Sequence, residues 1–285
     1  MQFIKGADMN GPNITSEATL RLLVFLAMLG VLALLEILRP RRQLQHSKKS
    51  RWLNNFGISL LNSISIAVLI PITGVAVALL VKEKTWGLFN TIQASTWISF
   101  LVYLLIFDLT IYWQHRLFHR FKFLWRLHRM HHTDIDYDVS TGIRFHPLSI
   151  LISTLIKFCL IILIGPPAIA VLFSEVLLNA TSMFNHSNIK LSKRFDATLR
   201  YFLVTPDMHR VHHSAMEAEH NKNFGFNFPW WDRLFGSYLA QPSLEQEEMS
   251  IGIEGYGKDQ AISMSVLLMQ PFGKNGEVKN TAPPD

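Results

Sequence analysis

Four long apolar runs decide what this chain can become. The first, Leu20 to Leu38, has about the 20 residues that a bilayer-crossing helix needs, with Arg21 and Glu36 near enough to its ends to reach the interface. A buried core helix is the other reading of such a run. Residues 1–18 are polar and lack a secretory signal's short apolar stretch and cleavage site, so this run is expected to be retained as an anchor. The second run, Phe56 to Val81, holds Pro71 and Gly74, which a membrane helix tolerates at the expense of a kink or tilt. A third extends from Trp97 to Trp113. The fourth, Leu148 to Leu178, is cut by Gly165, Pro166 and Pro167, which predicts a helical hairpin, either two short spans or a re-entrant pair.

The short loops orient these spans. Arg39 to Asn55 carries Arg39, Arg41, Arg42, Lys48, Lys49 and Arg51 with no acid, whereas Lys82 to Thr96 offers Lys82 and Lys84 beside Glu83. The Lys/Arg-rich loop is therefore expected in the cytoplasm. Counting onward, the third span delivers His115 to that side, and a hairpin returns His186 there too. The expected architecture is an all-α integral membrane bundle, three spans plus a hairpin, under a cytoplasmic histidine-rich helical cap. Its expected divisions are a polar segment 1–19, spans within 20–114, a histidine-bearing region 115–240 that includes the hairpin 147–183, and an acidic soluble tail 241–285.

Only 17% of residues are charged, against roughly a quarter in soluble domains, which excludes a disordered chain. The single cysteine, Cys159, excludes a disulfide framework and a Cys-rich metal site. A formal charge of +6 would suit nucleic acid, but the cations cluster beside the apolar runs, so membrane orientation and lipid head groups explain them and no nucleic acid is expected.

Histidine carries the chemistry. Of twelve, eleven fall between His115 and His220, in the segments HRLFH (115–119), HRMHH (128–132) and HRVHH (209–213) and singly at His146, His186 and His220. Residues i and i+4 share a helix face, so HxxxH aims two rings one way and HxxHH adds a third at i+3. An isolated histidine is usually a satisfied core or surface residue, but eight in three face-matched groups point to metal. Eight to ten nitrogen ligands exceed the four to six of one ion, so two metals are implied. Imidazole alone does not choose among zinc, copper, iron and nickel. Neither Glu-x-x-His within these segments nor HExxH, a P-loop or a nucleophile elbow occurs.

The ordered set of HxxxH, HxxHH, a His-Pro after STGIRF, an isolated NHSN and a final HRVHH resembles the fatty acid hydroxylase superfamily, the sterol desaturase group of membrane di-iron proteins. KNFGFNF and WWDRLFGSY resemble that family's closing signature, and the likeness covers Asp108 to Tyr238. It implies a non-haem centre of two iron ions that activates O2 as co-substrate and hydroxylates, or less often desaturates, a lipid C–H bond. It carries over His115, His119, His128, His131, His132, His209, His212 and His213 as iron ligands. His186 matches a position the family uses near its metals. His146 is the weaker candidate, its other reading being a hydrogen-bonded helix-start residue.

Asp108 lies on one helical stripe with Tyr112, His115 and His119, and is read as oriented toward the metals, the other reading being a polar partner such as Asn62. Asp134, Asp136, Asp138, Asp207 and Asp232 flank the boxes, mostly as surface salt bridges, and Trp230, Trp231 and Phe235 suit an interfacial aromatic belt. His220 is read as a solvated loop residue and His46 as surface. With no cysteine cluster, flavin or haem domain evident, a separate electron donor is expected on the basic face. A zinc hydrolase and a metal transporter are the competing classes; the first has no use for eight ligands, and the second needs polar ligands inside the spans. The absence of an ER retrieval signal after TAPPD favours a bacterial inner membrane.

Overall fold

The computed structural model describes residues 14–253, 256 and 263–273. Segment 1–13 and the part of the expected acidic tail beyond 273 lie outside the described residues. Those described form helices joined by loops, with two isolated β-bridges and no strand. Stretches 16–38, 48–91, 96–120, 147–164 and 168–185 are each long and apolar enough to cross a membrane.

Helix α1 (Ile14–Leu38) leaves Leu22, Leu23, Leu26, Val31 and Leu34 exposed, as expected of a helix that faces lipid. Its charges do not reach outward as the sequence suggested. Glu36 is buried and accepts from the backbone N–H of Val139 at 2.7 Å and of Asn188 at 2.9 Å. Arg21 bridges Glu17 at 2.8 Å and Glu175 at 2.7 Å, tying α1 to the hairpin. Paired charges remove the penalty that lone ones would carry in lipid.

The second run is broken rather than kinked. Helix α2 (Lys48–Leu69) stops before Pro71, and α3 (Gly74–Glu83) restarts with the Thr73 hydroxyl accepting from Ala76 N–H at 3.1 Å. Proline lacks a donor and disfavours helix at the residue before it, so Ile70 leaves the helical region. A short α4 (Leu88–Thr91) follows, then α5 (Thr96–Arg120), which continues past the expected end at Trp113 to carry both histidines of HxxxH. After Phe121 the chain reverses into α6 (Lys122–His132).

The hairpin forms as expected, with α7 (Pro147–Ile164) and α8 (Ala168–Asn185) meeting at Gly165. Gly165 has φ +69° and Gly87 φ +84°, and a Cβ on Gly87 would stand 2.4 Å from the Gly165 nitrogen. Only glycine permits this contact between the loop after α3 and the hairpin tip. Both lie at the end away from the histidines. Helix α7 begins and α8 ends at the histidine end.

The cap is held by buried ion pairs. Arg51, 1% exposed, makes a bidentate pair with Asp134 at 2.9 and 2.8 Å and reaches Asp138 at 2.7 Å. Asp138 also caps the 3₁₀ turn Val139–Ile143, accepting from Ser140 N–H at 2.9 Å. The carboxylate of Asp136 accepts from His46 N–H at 2.7 Å and contacts its ring at 2.9 Å. These aspartates were expected at the surface and His46 with them; instead they anchor the basic loop and the STGIRF segment to the cap. Arg41 likewise pairs with Asp207 at 3.0 Å, so part of the basic loop's charge is spent internally rather than on lipid heads.

The remaining helices are short: α9 (Lys193–Leu199), α10 (Pro206–His212), α11 (Glu217–His220), α12 (Trp230–Leu234) and α13 (Met264–Met269). The described part of the tail is no free extension. Met249 and Ile251 pack with Tyr137, and Leu267 of α13 packs with Ile58 and Met130.

Candidate metal centre

Three helix ends and one helix cap converge on one buried volume. His115 and His119 come from α5, His128, His131 and His132 from α6, His209 and His212 from α10, His213 from its C-cap and His186 from the C-cap of α8. Their nitrogens sort into two groups, His115, His119, His128, His132 and His212 in one and His131, His186, His209 and His213 in the other. Within each group the ligand atoms lie within 4.8 Å of one another. The groups are contiguous, with the rings of His132 and His213 4.4 Å apart.

Backbone carbonyls set the tautomers. The Nδ1–H of His115 donates to Phe224 at 2.8 Å, that of His131 to Arg144 at 3.2 Å, that of His186 to Ser182 at 2.6 Å and that of His212 to Lys222 at 2.7 Å. A carbonyl only accepts, so each of these Nδ1 atoms holds the proton and each Nε2 presents a lone pair inward. Such outer bonds orient metal-binding imidazoles. Burial drives the same way, holding His128, His131, His132, His209, His212 and His213 well below the ordinary histidine value and lowering His186 to about 3. The rings are neutral at pH 7.

This arrangement fits a cation. The Nε2 atoms of His131 and His186 are 3.0 Å apart, both as lone pairs, a contact that is repulsive unless a positive ion lies between them. Two nitrogens each about 2.1 Å from one ion and at right angles to each other stand about 3.0 Å apart. His213 and His209 approach the same Nε2 of His186 at 3.2 Å each. Both nitrogens of His119 and the Nε2 atoms of His132 and His212 are buried with no hydrogen-bond partner. Nine neutral imidazoles are too many for one ion and divide into sets of five and four.

The other expected residues divide. His146 joins neither group: its Nδ1 accepts from Leu148 N–H at 3.1 Å as the cap of α7, and its Nε2 donates to Leu268 at 3.1 Å. Asp108 meets neither a histidine nor Asn62. Its carboxylate accepts from the backbone N–H groups of Asn227 and Phe228 at 3.3 Å and from the Trp231 indole at 2.7 Å, so it pins a loop. Asp232 holds the preceding turn through Phe224 N–H and Gly225 N–H, both at 2.8 Å. That turn presents the Phe224 carbonyl to His115. Of the expected aromatic belt, Trp231 is therefore used internally, whereas Trp230 and Phe235, the latter stacked on Tyr112, remain 40% and 37% exposed. His220, expected in solvent, is buried and stacks on Trp125, whose ring lies 4.8 Å from that of His119.

A cavity of about 840 Å³ opens beside the histidines. His115 and His128 form one wall, and Phe25, Leu60, Ile66, Ile150 and Val176 of α1, α2, α7 and α8 line its length. Its volume lies within the roughly 300–1,000 Å³ of ligand pockets.

Residues 100–237 match the fatty acid hydroxylase family. The chain is 28% identical over 263 residues to the ornithine lipid hydroxylase of Rhizobium tropici, covering 89% of this chain and 76% of that protein. It is 30% identical over 158 residues to the alkylglycerol monooxygenase of Homo sapiens, covering 55% of this chain and 34% of that protein. With the Delta(7)-sterol 5(6)-desaturase of Gibberella zeae it shares 26% over 163 residues, 55% of this chain and 48% of that protein. The chain thus spans about a third of the human enzyme's length and half of the desaturase's. No solved structure matches it significantly. The matched region begins within α5 and ends beyond the last histidine box, so it contains all nine converging histidines, and residues 100–237 form a domain of the fatty acid hydroxylase family.

Proposed function

We propose that this protein is a membrane-bound di-iron monooxygenase that hydroxylates a C–H bond of a lipid, with O2 as co-substrate and electrons from a separate carrier. The observation that carries the reading is the junction of nine buried, lone-pair-presenting histidines with a largely apolar cavity. His115, His119, His128, His132 and His212 would hold one iron, and His131, His186, His209 and His213 the other. Iron bound there supplies the reduction of dioxygen and the removal of hydrogen from the substrate. The protein's residues do the rest. The carbonyls of Phe224, Arg144, Ser182 and Lys222 fix ring orientation, and Phe145, stacked 4.4 Å from His131, and Phe226, 4.9 Å from His115, keep water from the rings. The apolar residues Phe25, Leu60, Ile66, Ile150 and Val176 would guide a chain to His115 and His128, in a cavity that Arg21, Lys157 and Glu175 also line.

The basic loop and the histidine end are read as cytoplasmic, in a bacterial inner membrane, where a soluble carrier can dock. Desaturation is the second reading, supported by the sterol desaturase relative. Protein purified from iron-replete cells should carry about two irons per chain, and lipids of expressing cells should gain 16 mass units, neither surviving in His131→Ala. Less than about one iron per chain sinks the di-iron reading, whereas a loss of two mass units in the lipid establishes desaturation.

A further inference from the structure

The cavity beside the histidines has unlike sides. Away from them it is charged: Arg21, Lys157 and Glu175 line it, and Glu175 holds Arg21 at 2.7 Å and Lys157 at 3.5 Å. Glu175 precedes His186 in α8 and its cap by eleven residues, which sets this ion network about 16 Å from the histidines along the helix. A hydrocarbon chain gains nothing by entering past paired charges. Toward the bilayer, α1 packs on α8 and α2 on α7, and the two approach each other through the 3₁₀ turn Val139–Ile143, so their lipid-facing sides stay apart. Between them lies a second groove of about 750 Å³, lined by Ala33 and Ile37 of α1 and by Trp52, Leu53 and Gly57 of α2. Phe56 and Leu60 line both this groove and the histidine cavity, so the two spaces adjoin at these side chains. Ile37, Leu53 and Leu60 are exposed, as a rim open to acyl chains requires. One end of the groove is basic. Lys48 lies 4.7 Å over the Trp52 ring and pairs with Glu36 at 3.0 Å, whereas Lys49 is exposed and makes no ion pair among the described residues. Two ammonium groups against one carboxylate leave a net positive mouth on an apolar groove.

We propose that this groove is the lateral entrance to the histidine cavity, and that it takes a lipid with an anionic head, the head on Lys48 and Lys49 and the chain passing inward over Phe56 and Leu60. The inference rests on the hydroxylase reading for what happens to the lipid afterwards, but the route itself needs no turnover. Lys48 is balanced by Glu36, so Lys49 carries the selection, and one lysine beside an anionic lipid surface corresponds to about a fivefold preference. Entry from the side lets the chain leave the bilayer without crossing water while the head stays among other heads.

The test uses the full-length protein in phosphatidylcholine vesicles, in a Cys159→Ser background so that a fluorophore can be placed on one new cysteine. Leu53→Cys reports the groove and Ser153→Cys the cavity, since Ser153 lines the cavity and not the groove. Lipids brominated along the chain quench a fluorophore that they touch. Brominated phosphatidylglycerol should quench the groove reporter at about fivefold lower mole fraction than brominated phosphatidylcholine, and Lys49→Gln should bring the two within about twofold. Ala33→Trp, which fills the groove, should slow quenching of the cavity reporter at least about tenfold with the unfolding temperature unchanged. Leu60→Trp provides a second plug, and Val31→Trp, exposed on the same helix outside the groove, should change nothing. Equal quenching of the groove reporter by both lipids overturns the anionic head. A cavity reporter that neither lipid quenches, or that both plugs leave quenched at the wild-type rate, overturns the entrance. Protein that loads lipid by this route yet oxidises none sinks the hydroxylase reading and leaves the entrance standing.

Discussion

The two histidine groups differ in how they are enclosed. In the four-histidine group every ring is 0% exposed, and three of its short nitrogen contacts converge on the Nε2 of His186. In the five-histidine group one short contact links His115 to His128 at 3.0 Å, those two rings wall the cavity, and His119 is 9% exposed beside Trp125. One site is collapsed around a hub and sealed; the other faces the pocket. On the di-iron reading, this difference would give the four-histidine group the tighter-held iron and the five-histidine group the contact with substrate.

The harshest way to break this comparison is to remove the hub. His186→Ala should empty the four-histidine group and leave the other loaded, so metal analysis should find about one iron per chain and activity should fall at least about a hundredfold. Two irons retained in that variant would show that His186 is no hub.

Protonation separates the loaded from the metal-free protein. The buried rings titrate below the ordinary value of 6.5, so between 6.5 and their lowered values the unfolded chain binds more protons than the folded one. Metal-free protein should therefore lose stability as pH falls through 6.5, by up to about 1.4 kcal/mol per pH unit for each ring. Iron loading should add stability above that pH and make the acid transition steeper, because protonation then also expels metal. Unfolding temperatures from pH 8 to 5 check both slopes, and a flat profile for the metal-free protein would contradict the burial of neutral rings.

A smaller effect tests one group without touching a ring. In Asp232→Asn one carboxylate oxygen becomes an amide donor facing a backbone N–H, so the turn at Phe224 and Gly225 must shift and the Phe224 carbonyl leaves His115. Iron affinity of the five-histidine group should weaken about 10- to 100-fold, read by titration with a chelator, while the tighter-held iron stays. Equal weakening of both irons would mean that the groups are not independently supported.

Much of this contrast was visible before any coordinates. HxxxH and HxxHH are helix-face signals, so convergence of eight rings followed from spacing, and the apolar runs around Gly165-Pro166-Pro167 announced the hairpin that returns His186 to them. What spacing could not supply was partnership at long range. Arg51 and Asp134 are 83 residues apart, and a basic loop facing an acid-rich segment reads equally as two solvated surfaces. Carbonyls such as those of Phe224 and Ser182 carry no residue-type signal at all, although KNFGFNF marked the segment. His146 was ambiguous because a histidine before Pro147 suits a helix cap as well as a ligand, and the cap won because both its nitrogens are used there. The charges around His220 in MEAEH suggest solvent, yet the Trp125 ring covers it.

His220 sets the edge of the five-histidine group and gives the smallest expected effect. Its ring lies 6.0 Å from that of His119 and 6.4 Å from that of His132, outside the set whose nitrogens cluster within 4.8 Å. Burial lowers it to about 4, so it is neutral at pH 7 and places no positive charge beside the metals. Its role is to hold Trp125 flat at 5.6 Å, and Trp125 in turn limits the motion of His119, whose nitrogens have no protein partner. His220→Phe keeps the stacked ring and should leave iron content and activity within about twofold of wild type, whereas His220→Ala should loosen His119 and lower activity about two- to tenfold with both irons still bound. Loss of an iron in His220→Phe would make His220 a sixth ligand of the pocket-facing group and widen its difference from the four-histidine group.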